Sequence, residues 1–239
     1  VALVNFGTGA FVLIPTGEKL VRRQGLLTSL AYTSASRRAC LLEGTINAAG
    51  ATLDWLRRDL GAPADLAALD ALCRAAPGGA LLLPAFRGLG SAFFEQRDAR
   101  LPSVILGAGP AGTLADLTRA AVESIAHMVA VILERVAALP GGAPRRMVAT
   151  GPLSRLRYLV EFQAALVRGV PLVVSRRQEA TLAGIARAAC LASGGEAGEN
   201  AARWRSSGTI VRVPAGMARA AAKRHEQWLR MVRWARRWK

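Results

Sequence analysis

The hydrophobic period of this chain changes near Thr45, and that change limits what it can fold into. Before it, two apolar, β-prone runs between Val1 and Pro15 flank Gly7-Thr8-Gly9, the signal of a hairpin. Leu26 to Tyr32 and Arg38 to Leu42 read as further strands. After it, Ile46, Ala49, Leu53, Leu56 and Leu60 recur at three- and four-residue steps, an amphipathic helix with Gly61 just past its end. Strands in hairpins followed by helices alternating with strands predict a mixed α/β domain.

The same grammar continues downstream. Pro63 to Ala76 reads as a shorter helix, Pro77-Gly78-Gly79 as a turn and Ala80 to Leu83 as a buried strand. Pro84 to Gly112 is glycine-rich with little periodicity, so it reads as a long loop. Thr113 can cap a helix whose apolar stripe is Leu117, Ala121, Ile125, Met128, Ile132 and Val136. Met147 to Ala149 is a short strand, Ser154 reads as an N-cap, and the next helix carries Leu159, Phe162 and Leu166 and stops at Gly169. Val170 to Val174 is a strand and Thr181 to Ala192 a helix of small residues. Gly194 to Ser207 is a linker, and Met217 to Lys239 a basic helix with Trp228, Trp234 and Trp238.

Composition narrows the function classes. At 52% hydrophobic the chain can bury a core, yet no run of eighteen apolar residues is present to span a membrane as a helix. The net charge of +16 raises the question of a nucleic-acid partner, but only Lys19, Lys223 and Lys239 among the 32 basic residues are lysines. An arginine bias with abundant alanine, glycine and leucine fits a GC-rich coding sequence, and no nucleic-acid-binding module is recognisable. Cys40, Cys73 and Cys190 are far apart and form no metal-ligand spacing, so buried free thiols in a reducing cytoplasm are expected. His127 and His225 read as isolated helix residues, His127 in or beside the core. The chain opens without Met in a strand, which points to a piece of a longer protein.

Four segments carry candidate chemistry, one of them the glycine loop Pro84 to Gly90 with Asp98 to Arg100 shortly after, which with its aromatics can wall a pocket or is a long structural connection. Gly7-Thr8-Gly9 can turn backbone N–H groups and a hydroxyl toward an anion, although such tripeptides also make ordinary hairpins. Met147 to Ser154 runs from a strand through a glycine turn into a helix N-terminus, which suits a nucleotide or is a plain strand-to-helix turn. Gly50 inside a helix costs about 1 kcal/mol relative to alanine, a cost that close approach of a ligand or of backbone rationalises.

In order and spacing, NFGTGAFVLIPTGE (5–18), GLLTSLAY (25–32), LLEGTINAAGATLDWLRRDLG (41–61), LLLPAFRGLGS (81–91), LADLTRAAVESIAHMVAVILE (114–134), SRLRYLVEFQAALVRGVPLVV (154–174) and EATLAGIARAACLASG (179–194) resemble the C-terminal half of the FGGY family of carbohydrate kinases, nearest its glycerol-phosphorylating members. The resemblance implies an actin-like ATPase domain of ribonuclease-H type, a mixed β-sheet flanked by helices. Residues 1–194 would form the nucleotide-binding domain, and 195–239 a linker and basic helix packed on it. It further implies ATP and Mg²⁺ as cofactors and a polyol or sugar as acceptor, with an N-terminal kinase domain as partner and the possibility of a homo-oligomer. By position, Thr8 and Gly9 would meet the phosphates, Gly50 would lie near the nucleotide, Gly151 would border the adenosine pocket and Phe11 would pack toward the acceptor.

Several positions depart from the family pattern. The catalytic aspartate of the family belongs to an Asp-Gln motif upstream of the hairpin, and the chain starts after that point, so no catalytic residue is assigned. The family's Asp-Gly-Gly turn reads Ala149-Thr150-Gly151, Arg155 stands where an asparagine contacts adenine, and Phe93-Phe94-Glu95-Gln96 replaces an aromatic loop pattern. A degenerate, non-catalytic nucleotide binder is therefore the alternative, and a basic nucleic-acid-binding protein the next.

Overall fold

Alternation decides which side of the first strands is buried. In β1 (Ala2–Phe6) the side chains of Ala2, Val4 and Phe6 are fully buried while Leu3 and Asn5 are partly open, so the strand has a core face and an outer face. The computed structural model describes residues 1–34, 37–93, 101–108, 113–139, 142–177, 179–193 and 208–237. β1 pairs antiparallel with β2 (Ala10–Gly17), β2 with β4 (Arg38–Ile46), and β4 with β3 (Leu27–Thr33). On its other side β1 runs parallel to β7 (Met147–Thr150) and β7 to β8 (Leu172–Ser175), and β9 (Gly208–Ile210) closes that edge antiparallel. The sheet order is β3-β4-β2-β1-β7-β8-β9.

The change of period falls a few residues later than the sequence reading placed it. β4 extends to Ile46, and α1 spans Gly50–Leu60, so Ile46 ends a strand and Gly50 begins a helix rather than lying inside one. Ile46 satisfies both patterns, since it is buried from either a strand or a helix. Gly61, with φ 70°, ends α1 in the left-handed region as expected. α2 (Leu66–Ala75) is capped by Asp65, whose side chain accepts from Ala68 N at 2.8 Å. The 84–112 segment is not all loop: β6 (Val104–Leu106) pairs with β5 (Leu81–Leu83), and Leu101 and Val104 are buried. Phe94, Glu95, Gln96 and Asp98 to Arg100, like the 194–207 linker and Trp238, lie outside the described residues.

The core-facing side of the sheet is covered by α3 (Leu114–Ala137), capped by Thr113 as anticipated. Gly44 of β4 makes room for Ile132 of α3. α3 carries more than an apolar stripe: Glu123, Ser124 and His127 are buried too, because α4 (Arg157–Leu166) and α6 (Met217–Ala235) cover its other side. Glu123, 1% exposed, accepts from Arg119 Nε (2.8 Å), from Tyr158 OH (2.6 Å) and from Arg224 Nε. Burial and the Glu123 charge push the Tyr158 phenol well above its ordinary value, and burial takes the Cys73 thiol to about 12. Arg224 also donates to Ala80 O (2.7 Å) and Gly78 O, and Trp228 Nε1 donates to Leu82 O (2.8 Å), so α6 grips β5 and the turn before it. Cys40 and Cys73 are buried, whereas Cys190 is exposed, because α5 (Ala180–Ala192) buries none of its described side chains. Trp234 of α6 is also exposed.

The two histidines are not isolated. His127 Nδ1 and His225 Nδ1 share a hydrogen bond of 3.0 Å, and His225 Nε2 lies 3.3 Å from Glu134 Oε1. Burial, with His225 and Arg224 alongside, holds His127 well below the ordinary imidazole value. The unfolded chain takes up this proton near pH 6.5, and the folded chain does not. The stability tied to His127 is therefore complete above about pH 6.5 and is lost as pH falls below it, by at most about 1.4 kcal/mol per pH unit. Urea midpoints should fall between pH 7.5 and pH 5, and His127→Leu should flatten that slope; an unchanged slope would assign the effect to other groups.

Candidate functional site

Backbone meets backbone where the β1–β2 hairpin touches α1. Gly7 N donates to Gly9 O (2.9 Å), which closes a tip with Thr8 exposed at its crest. The tip's carbonyls turn toward the helix: Gly7 O accepts from Gly50 N (3.0 Å), and Thr8 O from Ala49 N (3.2 Å) and Ala51 N (3.0 Å). α1 has no side-chain cap at Ala49, so the hairpin supplies the acceptors its first turn needs. A Cβ at Gly50 would come within 2.8 Å of Gly7 O, and one at Gly9 within 2.8 Å of Ile46 O. The close approach that the sequence left open between ligand and backbone is, at Gly50, that of the hairpin's own backbone.

Gly151 joins the same junction from β7. It has φ 87°, and a Cβ there would meet Asn5 Oδ1 and come within 2.6 Å of Phe6 O. A 3-10 turn, Pro152–Arg155, follows. Ser154 does not cap α4: its N–H and hydroxyl both donate to Gly151 O (3.1 and 2.7 Å). α4 begins at Arg157, and Tyr158 N donates instead to Asp70 Oδ1 of α2 (2.6 Å). A cap delivered from 88 residues away leaves no local signature.

A cavity of about 820 Å³ runs along the outer face of the sheet from Leu3, Asn5 and Leu13 to the carboxyl ends of β7 and β8. Of the residues selected from the sequence, Phe11, Gly151 and Arg155 line it, with Gly7 of the hairpin. Thr8, Gly9 and Gly50 stand at the hairpin–helix junction beside it and do not line it. Phe11 lies opposite Asn5 in register and is 39% exposed. Thr150, 5% exposed, directs its side chain into the cavity lining, while Ala149 belongs to the core. Arg155, Arg176 and Arg177 form one rim, and the carboxylates present are Glu179 and Glu43, the latter accepting from Ser29 Oγ (3.0 Å). Such a rim attracts a phosphate-bearing ligand. Among the described residues no group of three or more His, Cys, Asp or Glu could hold a metal ion.

Asn5, Arg176 and Arg177 were not selected from the sequence. Asn5 gives no signal within an apolar strand. The arginines do, since Val170–Val174 runs into a polar turn and then a helix, the same strand–turn–helix order as at Gly151.

A hairpin-led mixed sheet, backed by helices and with a glycine junction beside a basic cavity, defines an α/β domain of the actin-like ATPase class. The chain belongs to the FGGY family of carbohydrate kinases: the profile of the family's C-terminal domain matches residues 2–193. The glycerol kinase of Ralstonia nicotianae is 34% identical over 235 residues, 96% of this chain and 45% of that protein. That of Polaromonas naphthalenivorans is 35% identical over 238 residues, 96% of this chain and 47% of that protein. The chain thus spans about half the length of the curated relatives it matches. Among solved structures, Plasmodium falciparum glycerol kinase with ADP superposes with a TM-score of 0.81 at 23% identity, over 98% of this chain and 47% of that one. Lactobacillus acidophilus xylulose kinase superposes at 0.76 and 17% identity, over 96% and 46%. No described helix is long and apolar enough to cross a membrane.

The junction makes a contrast between glycines measurable. Gly50→Ala should destabilise the chain by about 1–3 kcal/mol, because its Cβ collides with hairpin backbone. Gly184→Ala, in α5 with nothing within 4 Å, should stabilise by about 0.5–1 kcal/mol. Urea unfolding of both variants checks this, and equal effects would contradict the junction described.

Proposed function

We propose that this chain is the nucleotide-holding half of an ATP-dependent kinase that phosphorylates a hydroxyl of glycerol or a related polyol or sugar. The observation that carries the reading is the convergence of Gly7-Thr8-Gly9, Gly50 and Gly151 on one junction beside an arginine-rimmed cavity. Kinship with proteins named glycerol kinase supports the acceptor class. Residues 1–194 make the nucleotide-binding unit, and 195–239 end in the helix that packs on it.

Thr8 and Gly9 take the terminal phosphates through the exposed tip of the hairpin, with Gly50 holding that tip in place. Gly151 borders the adenosine, Arg155 sits at the base or phosphates, and Phe11 faces the acceptor. Bound ATP would supply the phosphoryl group, and Mg²⁺ would neutralise charge on its phosphates. This chain's share of the work is positioning and charge stabilisation, which account for most of the catalysis of phosphoryl transfer. The half of the relatives that the chain does not cover supplies the acceptor pocket and the carboxylate that takes the hydroxyl proton, a loss worth about 10²–10⁴-fold in rate by itself. The enzyme works in the cytoplasm, and self-association into a homo-oligomer is compatible with its open surfaces.

A second reading, a nucleotide binder without catalysis, is favoured by one observation: Thr150 and Arg155, which depart from the family pattern, both line the cavity.

Calorimetric titration with ADP and Mg²⁺ tests the first reading. Saturable one-to-one binding is expected, weakened at least about tenfold by Gly151→Arg, with phosphate transfer to glycerol at background for this chain alone. Absence of heat at about 1 mM ADP from a folded chain would sink an intact nucleotide site.

A further inference from the structure

A second groove, of about 860 Å³, lies between α4 and the β8–β9 edge. Its floor is apolar, built from Val160, Val174 and Val211. Its rim is Arg155, Arg157, Arg176 and Arg212, all exposed. Glu161, the one carboxylate among the described residues of the groove, already pairs with Arg157 Nε (2.7 Å) and Arg74 Nη2 (2.9 Å). Among the described residues no carboxylate pairs with Arg155, Arg176 or Arg212, so three exposed guanidinium groups border an apolar floor.

Two of those arginines do double duty. Arg155 and Arg176 line the outer-face cavity as well, so they form the ridge between the two spaces. Guanidinium forks match phosphate oxygens in geometry and charge, and cations held close together favour the entry of an anion. The valine floor suits a carbon body beside that anion. The ridge follows the carboxyl ends of β7 and β8, where open α/β sheets gather ligands.

We propose that this groove is a second site, for a phosphate-bearing small molecule, and that it shares Arg155 and Arg176 with the nucleotide cavity so that each ligand weakens the other. A ligand in the groove draws both side chains to its own side of the ridge, and the nucleotide loses their charge; by linkage the reverse holds equally. The groove stands on its own residues, and only the coupling rests on the nucleotide reading.

Inorganic pyrophosphate, titrated calorimetrically into the full chain without metal, is the probe. Arg212→Glu removes a groove residue that the outer-face cavity does not use, and Arg219→Glu makes the same charge change on the exposed side of α6. Saturable binding is expected, weakened at least about tenfold by Arg212→Glu and changed less than about twofold by Arg219→Glu. The ADP affinity of Arg212→Glu should match that of the unsubstituted chain, and saturating pyrophosphate should weaken ADP several-fold. Equal losses in both charge variants would overturn the site in favour of diffuse attraction. Binding abolished by Gly151→Arg but untouched by Arg212→Glu would overturn it by moving pyrophosphate to the nucleotide cavity. Arg212-dependent pyrophosphate binding in a chain that takes up no ADP would keep the groove and overturn the coupling.

Discussion

A carboxylate buried in the middle of the longest helix constrains much of what surrounds it. Glu123, 1% exposed, accepts from Arg119, Arg224 and Tyr158 together. Removing one partner of such a group costs about 3–5 kcal/mol, since the remaining charge has no water to turn to. Two guanidinium groups exceed one carboxylate, and the excess is absorbed by the carbonyls of Ala76, Gly78 and Ala80. The turn between α2 and β5 is thereby tied to α3, and α6 to both. Part of the basic C-terminal stretch is consequently interior: Arg224 is 7% exposed and holds the fold together. The net charge of +16 is not the charge of one surface.

The hairpin junction imposes a second constraint, on how an anion can be met. A helix N-terminus usually offers free N–H groups to a phosphate. At α1 those of Gly50 and Ala51 are spent on the carbonyls of Gly7 and Thr8. At α4 the Tyr158 N–H is spent on Asp70. Near these spent groups lie the exposed crest at Thr8 and the arginines beyond β7 and β8.

These constraints also separate what the sequence could tell from what it could not. The hairpin, the Thr113 cap and the Gly61 stop each follow from residues adjacent in the chain, and each is legible there. Ile46 fits a strand and a helix equally, so the boundary at α1 slipped. β6 and β9 are three-residue strands, too short to show a period of two. Ser154 has the composition of a cap, but its hydroxyl finds Gly151 O first, and the acceptor that replaces it comes from another helix. The glycines of the candidate site were found because close approach leaves a mark in composition. Their partner Asn5 was not, because an amide in an apolar strand leaves none. The fold family itself came from resemblance across seven segments, which no single periodicity supplies.

Among the described residues the outer face of the sheet is open along the cavity, where a parallel sheet is ordinarily covered on both sides. Here β1, β7 and β8 have their helices on one side, while Leu3 and Leu13 remain partly open, and Phe11 and Leu27 more so, on the other. α5 leaves Leu182 and Ile185 each 63% exposed, and a thirteen-residue helix gains too little from its own hydrogen bonds to persist uncovered in water. A chain half as long as its relatives leaves room for that cover. If the proposed second half seats on this face, it closes the cavity against water at the place where Phe11 and the arginine rim meet. The exclusion of solvent that phosphoryl transfer needs and the burial that α5 lacks would then come from the same contact.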